Sequence, residues 1–390
     1  MSNPAQQLNP PCPKCHCKST TRRGKRRNRL RTLQLFQCTE CLHRFTAEPG
    51  KNRTYPLKLI LDAISNFNLG YSITATRSIL RRRFHVDVPD RTINSWLTTY
   101  KNVSTYARLR AAGKKLFDPR SIIVSRFFEH RQVYRFQVHH AKLELSLRSP
   151  IHRHLSPLRG YLAVVQRDFP HHLFQNTAER SSTFPAQLHP AISHKENHAT
   201  RLAHLVLPTS PNNKKRHETL QRFMLVNDSV TVAVEVPVFL TTEDIHYYRS
   251  RGFDLDFESA VITGHIDFLQ IRNGHIHILD YKPDARKETH AHVQLTIYAL
   301  ALARRTSLPL KFFKCGWFDE KGYFDFFPLQ GVYTRRNQRW KVGSKGMENA
   351  RGQAPTTYLR EESNMICLLN SLIQVNFPPR SATAASYSSE

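Results

Sequence analysis

The chain has 390 residues, enough for two or three domains with a sizeable core, and carries 58 Lys and Arg against 30 Asp and Glu, a formal charge of +28. That excess points to a polyanionic partner, with nucleic acid the first choice and a membrane surface the second. No apolar run approaches the ~20 residues of a membrane-spanning helix, and the polar N-terminus lacks a signal-peptide core, so a soluble, intracellular, DNA-associated protein is predicted.

Four of the seven cysteines form two Cys-x-x-Cys units, Cys12 to Cys15 and Cys38 to Cys41, with twenty-two residues between them. Paired knuckles at this spacing predict a zinc ribbon over residues 10–48, in which four thiolates hold a structural Zn2+ and the ion replaces a core that forty residues cannot supply. A redox role for the pairs is the alternative, and Cys17, His16 and His43 are spare candidate ligands. Lys18 to Arg31 contains eight Lys or Arg and no acid. It reads as a solvated loop, an import signal or, beside a ribbon, a phosphate-contacting run in which Arg22, Arg23, Lys25, Arg26 and Arg27 would bind DNA.

Three amphipathic helices are predicted over residues 54–105. The first runs from Tyr55 to Phe67, capped by Thr54 with Pro56 in its first turn, and Gly70 breaks it. Ser72 caps a second to Phe84, and Pro89-Asp90 opens a third to about Lys101. In the third, Ile93, Trp96, Leu97 and Tyr100 share one stripe and leave Arg91, Asn94, Ser95 and Thr98 outward, as a helix in a major groove would need, with Arg91 and Asn94 toward base edges. The ribbon, its basic run, Phe45, Gly70-Tyr71-Ser72 and Thr92-Ile93-x-x-Trp96 together resemble the N-terminal DNA-binding part of insertion-sequence transposases. That resemblance covers roughly residues 10–105 and implies a zinc ribbon followed by an all-α helix-turn-helix, for end or sequence recognition and not for catalysis.

Residues 117–213 read as a helical and irregular connecting region. Phe117 to Phe174 is expected to form mixed helices, with Phe127, Phe128, Tyr134, Phe136, Leu143 and Leu145 available for a core. Its histidines, His130, His139, His140, His152, His154, His171 and His172, lack the His-Glu-x-x-His form and carry no metal assignment. Asn176 to Asn213 reads as a long loop.

From residue 214 the pattern changes. His217 to Leu225 is a predicted short helix leading into a strand from Thr231 to Phe239, where an inward Glu235 would be costly unless paired or metal-bound. An outward Glu235 is equally allowed, and the thirty-two residues to Asp267 call for a long insertion. Ile262 to Ile271 and His275 to Lys282 are β-rich and joined through Asn273-Gly274, the strongest two-residue hairpin signal. If those two residues turn the chain, Arg272 faces His275, and counting outward sets Asp267 opposite Asp280, with Cβ atoms roughly 4.5–5.5 Å apart. Lys282 then shares the face of Asp280. Two facing carboxylates with a lysine suit Mg2+ or Mn2+ and the hydrolysis of a phosphodiester. A helix from His292 to Arg304 follows, with Leu295, Tyr298, Ala299 and Leu302 as its apolar stripe and Gln294 and Tyr298 four apart on one face.

Gly-His-Ile-Asp, then Ile-Leu-Asp-Tyr-Lys, then Gln-x-x-x-Tyr resembles the PD-(D/E)XK nucleases, specifically the RecB-like branch. The resemblance implies a restriction-endonuclease-like α/β domain over residues 214–330, a mixed central sheet flanked by helices. It also implies that Asp267 and Asp280 bind the metal, that Lys282 is catalytic, and that Gln294 and Tyr298 organise the site or the DNA. The backbone carbonyl of Tyr281 is a candidate further ligand. Such nucleases carry a His or Glu on a helix ahead of the core, a place that His217 and Glu218 fit, and a further acid nearby, for which Glu235 is the candidate. Cys315 and Cys367 cannot supply the four-cysteine iron–sulfur site of many CRISPR-associated members.

Leu310 to Leu329 reads as further strand, and residues 331–390 as an extension ending in a disordered tail. The expected function is a metal-dependent DNA nuclease whose N-terminal part holds the DNA, in a mobile element or its processing machinery. Alternatives are a DNA-binding regulator with an inactive nuclease-like scaffold, a TnsA-type endonuclease working with a separate transposase, and a DDE transposase, whose three spaced carboxylates fit this pattern less well. DNA is the expected partner, with a transposase or other mobile-element protein as a second.

Overall fold

A computed structural model describes residues 9–27, 32–46, 54–174, 179–184, 188–210, 212, 215–255 and 261–333. The expected C-terminal tail lies outside them, as do Arg29 and Arg31 of the basic run. Among the described residues no helix is long and apolar enough to cross a membrane.

In its described part, from Thr20 to Arg27, the basic run is a strand and not a loop. β1 (Thr20–Arg27) pairs antiparallel with β2 (Thr32–Cys38), which pairs with β3 (Arg44–Thr46) to close a three-stranded sheet. Among the described residues its buried apolar interior is Cys12, Phe36, Cys38 and Phe45.

Three helices follow: α1 (Leu57–Asn68), α2 (Ile73–Phe84) and α3 (Asp90–Thr99). Ser72 caps α2 by accepting from the Ala75 N–H, as expected, and Gly70 breaks the chain at a φ of +112°. The Thr54 cap is not formed. Pro56 occupies the N-cap position of α1 without a side-chain cap bond. Leu59, Ala63, Leu80, Val88 and Ile93 form the unit's own core, while the other side of α1 enters a core shared with the rest of the chain.

A short helix α4 (Arg110–Leu116) leads into a β-hairpin, β4 (Ile123–His130) and β5 (Gln132–His139), where helices were expected. Alternation explains the difference: Phe128, Phe136 and Val138 face the core while Phe127, Val133 and Arg135 face outward, a period of two that interleaved basic residues disguise. Helices α5 (His140–Arg148) and α6 (Pro157–Arg167) follow. The expected loop over 176–213 contains two short strands, β6 (Glu179–Arg180) and β7 (Ser193–Lys195), and a helix, α7 (His198–Val206), that the Asn197 side chain caps.

Next come α8 (Arg216–Asn227), β8 (Thr231–Thr241), α9 (Thr242–Ser250), β9 (Val261–Arg272), β10 (His275–Tyr281), α10 (Ala291–Thr306), β11 (Phe313–Phe318), β12 (Tyr323–Phe326) and α11 (Pro328–Val332). The span between Glu235 and Asp267 proves to be the rest of β8, α9 and its flanks, after which β9 returns antiparallel beside β8.

These strands form one nine-stranded mixed sheet in the order β4-β5-β8-β9-β10-β11-β12-β7, with β6 joined to β9. β10 and β11 are parallel, with α10 as the crossover between them. One apolar cluster collects α5, α6, α9 and α10 against the sheet, and a second collects α1, α7 and α8. The three-helix unit is therefore welded to α8. Leu57, Ile60, Leu61 and Ile64 pack with Leu220, Phe223 and Met224, and the buried Asn68 and Asn227 amides meet at 2.8 Å.

Lys142 of α5 is fully buried at the C-terminus of α8, where its Nζ donates to the carbonyls of Met224 at 3.4 Å, Leu225 at 2.5 Å, Thr231 at 3.1 Å and Asp228. Burial pushes the amine down to about 7, against carbonyls and a helix C-terminus that favour the ammonium.

Candidate active site and cysteine cluster

The Asn273-Gly274 turn sets the register that the sequence predicts. His275 faces Arg272, and the ladder runs to Leu279 facing Phe268, one step short of Asp280 and Asp267. At that step the backbone ladder gives way to a side chain, because Asp267 Oδ2 accepts the Tyr281 N–H at 3.1 Å. Glu235 extends the row on the other side. Val234 faces Phe268 and Val236 faces Ile266, which leaves Glu235 at the level of Asp267, with its φ at +50°. A left-handed glutamate inside a strand costs on the order of 1 kcal/mol or more and marks a local re-aiming of the chain. Three adjacent strands thus carry a carboxylate at one level.

Each carboxylate has its own support. His217 on α8 reaches Asp267 Oδ2 with Nδ1 at 3.1 Å, and Gln221, one turn later, donates to Glu235 Oε1 at 2.7 Å. Lys282 Nζ lies 2.8 Å from Asp280 Oδ2 and donates to Gln294 Oε1 at 3.0 Å. Gln294 in turn donates to the Tyr298 hydroxyl at 2.8 Å. Arg216 pins the start of α8 to β10 by donating to the Tyr281 hydroxyl at 2.8 Å and pairing with Glu320. Glu218, by contrast, is exposed.

Helix α10 reaches the site because small residues let it. Its sides are buried almost all round, beyond the single stripe expected, with Ala299, Ala301 and Ala303 among the buried positions. Gly264 completes the approach, since a Cβ there would stand 2.1 Å from Tyr298 Cε1 and 2.7 Å from Ser181 Oγ.

The electrostatics follow from crowding. Burial opposes charge on Asp267, yet His217 and the Tyr281 N–H bring it down to about 2. Burial and the adjacent Asp267 push Glu235 up to about 8 and hold Asp280 well above the carboxylate range, despite Lys282. Lys282 is itself raised: burial disfavours its charge, but Asp280 outweighs that. Likewise the charge of Asp267 outweighs burial at His217 and raises it. Fully ionised, the three carboxylates would carry more negative charge than Lys282 and His217 neutralise, and the upward shifts of Glu235 and Asp280 register that excess.

In the small sheet the four cysteine sulfurs lie within 4.8 Å of one another. The Cys12–Cys41 and Cys15–Cys38 contacts are 3.5 Å and 3.4 Å, too long for disulfides. They sit near the roughly 3.8 Å that a tetrahedron of 2.3 Å Zn–S bonds implies. The Cys41 backbone N–H leads the effects that lower Cys38 to about 6, and thiolates are the ligating form.

The predicted site residues thus fall into separate places. His217, Glu235, Asp267, Asp280, Tyr281, Lys282, Gln294 and Tyr298 converge; Cys12, Cys15, Cys38 and Cys41 form their own cluster; Arg22, Arg23, Lys25, Arg26 and Arg27 are exposed along β1; Arg91 and Asn94 are exposed on α3. Sequence reading missed Gln221 and Ser181. The four-residue step from His217 to Gln221 was the available signal for the first; nothing local marks the second.

Residues 138–324 match the family model of the PD-(D/E)XK nuclease superfamily. The match supports a nuclease domain with a mixed sheet flanked by helices, a class that works with divalent metal. It begins at residue 138, well ahead of the expected boundary at 214, and so takes in α5 and α6. Comparisons with curated proteins and with solved structures returned no match.

Proposed function

We propose that this protein is a metal-dependent nuclease that hydrolyses phosphodiester bonds of DNA, with the cysteine-bearing sheet and the three-helix unit holding the substrate. The observation that carries the reading is the row Glu235, Asp267 and Asp280 on three neighbouring strands with Lys282 at 2.8 Å from Asp280.

The donor set fits a hard divalent cation. Its ligands are carboxylate oxygens, and the elevation of Glu235 to about 8 by burial and Asp267 registers a site short of positive charge. Glu235, Asp267, Asp280 and the Tyr281 carbonyl would hold Mg2+ or Mn2+. When bound, such an ion supplies Lewis-acid polarisation of the phosphate and a water of lowered pKa.

The chain's own groups do the positioning. His217 keeps Asp267 ionised and oriented, and Gln221 fixes one oxygen of Glu235. Lys282, held as an ammonium between Asp280 and Gln294, is placed to orient the attacking water or to stabilise charge growing on the phosphoryl oxygens. Tyr298 locks Gln294, and the burial of this pair keeps Lys282 from swinging away.

The four thiolates suit Zn2+ as a structural ion. The exposed cations of β1, with Arg91 and Asn94 on α3, would contact DNA, and the resemblance of residues 10–105 to transposase N-termini supports a mobile-element setting.

The test is cleavage of end-labelled single-stranded, linear duplex and circular DNA with and without Mg2+ or Mn2+. Cleavage should require the metal, and Asp280→Ala and Lys282→Ala should each slow it about 10³-fold while leaving DNA affinity unchanged. Parent-like cutting by both variants would remove the site assignment.

A further inference from the structure

One face of the β4–β5 hairpin has no role in the site just described. Cross-strand pairing sets Ser125 opposite Gln137, Phe127 opposite Arg135 and Glu129 opposite Val133, and each such pair shares a face. On that face Phe127 is 67% exposed and Val133 70% exposed, an unusual display of large apolar side chains on an outer strand. The Arg135 guanidinium lies 5.5 Å from the centre of the Phe127 ring.

The same face opens into a cleft of about 320 Å³ between the hairpin, the end of α1 and α8, lined by Leu69, Ser125, Arg135, Gln137, Arg222 and Leu225 among others. Arg222 keeps 55% of its side chain exposed; the partial loss of water, then the nearby Arg83 and Arg135, lower its pKa against the pull of Asp62 and Glu218. The acids in reach are Asp62, which is shared between Arg83 at 2.7 Å and Arg222 at 3.6 Å, the exposed Glu218 and, on the hairpin face itself, the exposed Glu129. Arg135 makes no ion pair among the described residues.

The arrangement has two parts with one meaning. Two guanidiniums on a cleft otherwise lined by Ser125, Gln137 and apolar side chains suit phosphate oxygens, and an exposed ring beside them suits a base face, which a fully paired duplex does not offer. The volume is at the low end of small-molecule pockets, enough for a nucleotide and far too small for a duplex. The cleft also shares α8 with His217 and Gln221, the helix that borders the acids.

We propose that this face holds an unpaired stretch of the DNA strand, with Phe127 stacking on a base and Arg135 and Arg222 gripping the adjacent phosphates. The inference rests on the nuclease reading above for the identity of its ligand, but its test reads binding and not cleavage.

Full-length protein without added Mg2+ or Mn2+ is titrated with two fluorescent DNAs, a blunt duplex and the same duplex with a single-stranded overhang. Phe127→Ala should weaken overhang binding roughly five- to 150-fold, the range for loss of one stacked base, and leave blunt-duplex affinity unchanged. Arg135→Gln should weaken overhang binding and reduce the slope of log affinity against log salt by about 0.7. Both positions are exposed, and an unchanged melting temperature confirms the fold. Equal weakening on both DNAs would overturn the proposal in favour of an unselective basic surface. No change on either DNA would overturn it too, leaving the face to a protein partner. A parent that cuts DNA but shows no effect at Phe127 sinks this site alone; a parent that shows the overhang effect but never cuts sinks the nuclease reading alone.

Discussion

The two sheets of this protein are held together by different physics. The three-stranded sheet buries Cys12, Phe36, Cys38 and Phe45 and little else, and seven of the eight residues of β1 are exposed. The nine-stranded sheet has apolar clusters on both faces and buries Asp280, Gln294 and Lys142 within them. A sheet that small cannot stand on burial, so four thiolates around one ion would do what a core does elsewhere, and its surface is free to be almost wholly basic. The large sheet has stability to spare for crowding carboxylates in one row, where each raises or distorts the ionisation of the next. On the function proposed above, cations outside on one sheet and acids inside on the other would separate holding DNA from cutting it.

The sharpest way to break that contrast is to remove the metal from the small sheet. Cys38→Ser, or zinc chelation, should unfold residues 10–46 outright, since structural zinc sites contribute on the order of 10 kcal/mol. The melting transition of the large sheet should move little. Zinc content and hydrogen exchange read the two regions separately, and collapse of both together would show that they are one cooperative unit.

The converse test strikes the large sheet. Lys142→Met keeps the volume but leaves the carbonyls of Met224, Leu225, Asp228 and Thr231 without their donor. We expect a loss of about 3 kcal/mol in urea unfolding with zinc still bound. An unchanged midpoint would mean that the lysine cage adds nothing.

The smallest effect concerns the crowding itself. Burial and Asp267 place Glu235 at about 8, so it is protonated at neutral pH and must lose that proton to bind a cation. Apparent Mg2+ affinity should therefore rise with pH through about 8, with Asp280, also held above the carboxylate range, adding to the rise, by up to roughly tenfold per pH unit for each proton released. Glu235→Gln should flatten this rise. Calorimetry across about pH 7 to pH 9 would show it, and an equal slope in the variant would take Glu235 out of the metal shell.

Much of the site was legible because its signals are local. The Asn273-Gly274 turn sets a register that brings Asp267 and Asp280 level, and a four-residue step on a helix brings Gln294 to Tyr298. The β4–β5 hairpin was not legible, since arginines and histidines interleave with Phe127, Phe128 and Phe136 and blur the period of two. Nor was α7, which lies in a stretch rich in proline and poor in periodicity. Glu235 could be flagged as a costly residue in an apolar strand, yet its left-handed backbone depends on how β8 meets β9.

The sequence by itself determined the two cysteine knuckles, the facing acids with their lysine and the basic N-terminal run, because each arises from spacing within a few residues or from one turn. Only the tertiary structure decided that His217 and Gln221 would meet Asp267 and Glu235, that Gly264 would make room for Tyr298 and Ser181, and that Asn68 would tie α1 to Asn227. Those contacts join positions far apart in the chain, and their geometry follows from the order of the strands and the packing of helices across them, which local periodicity does not encode.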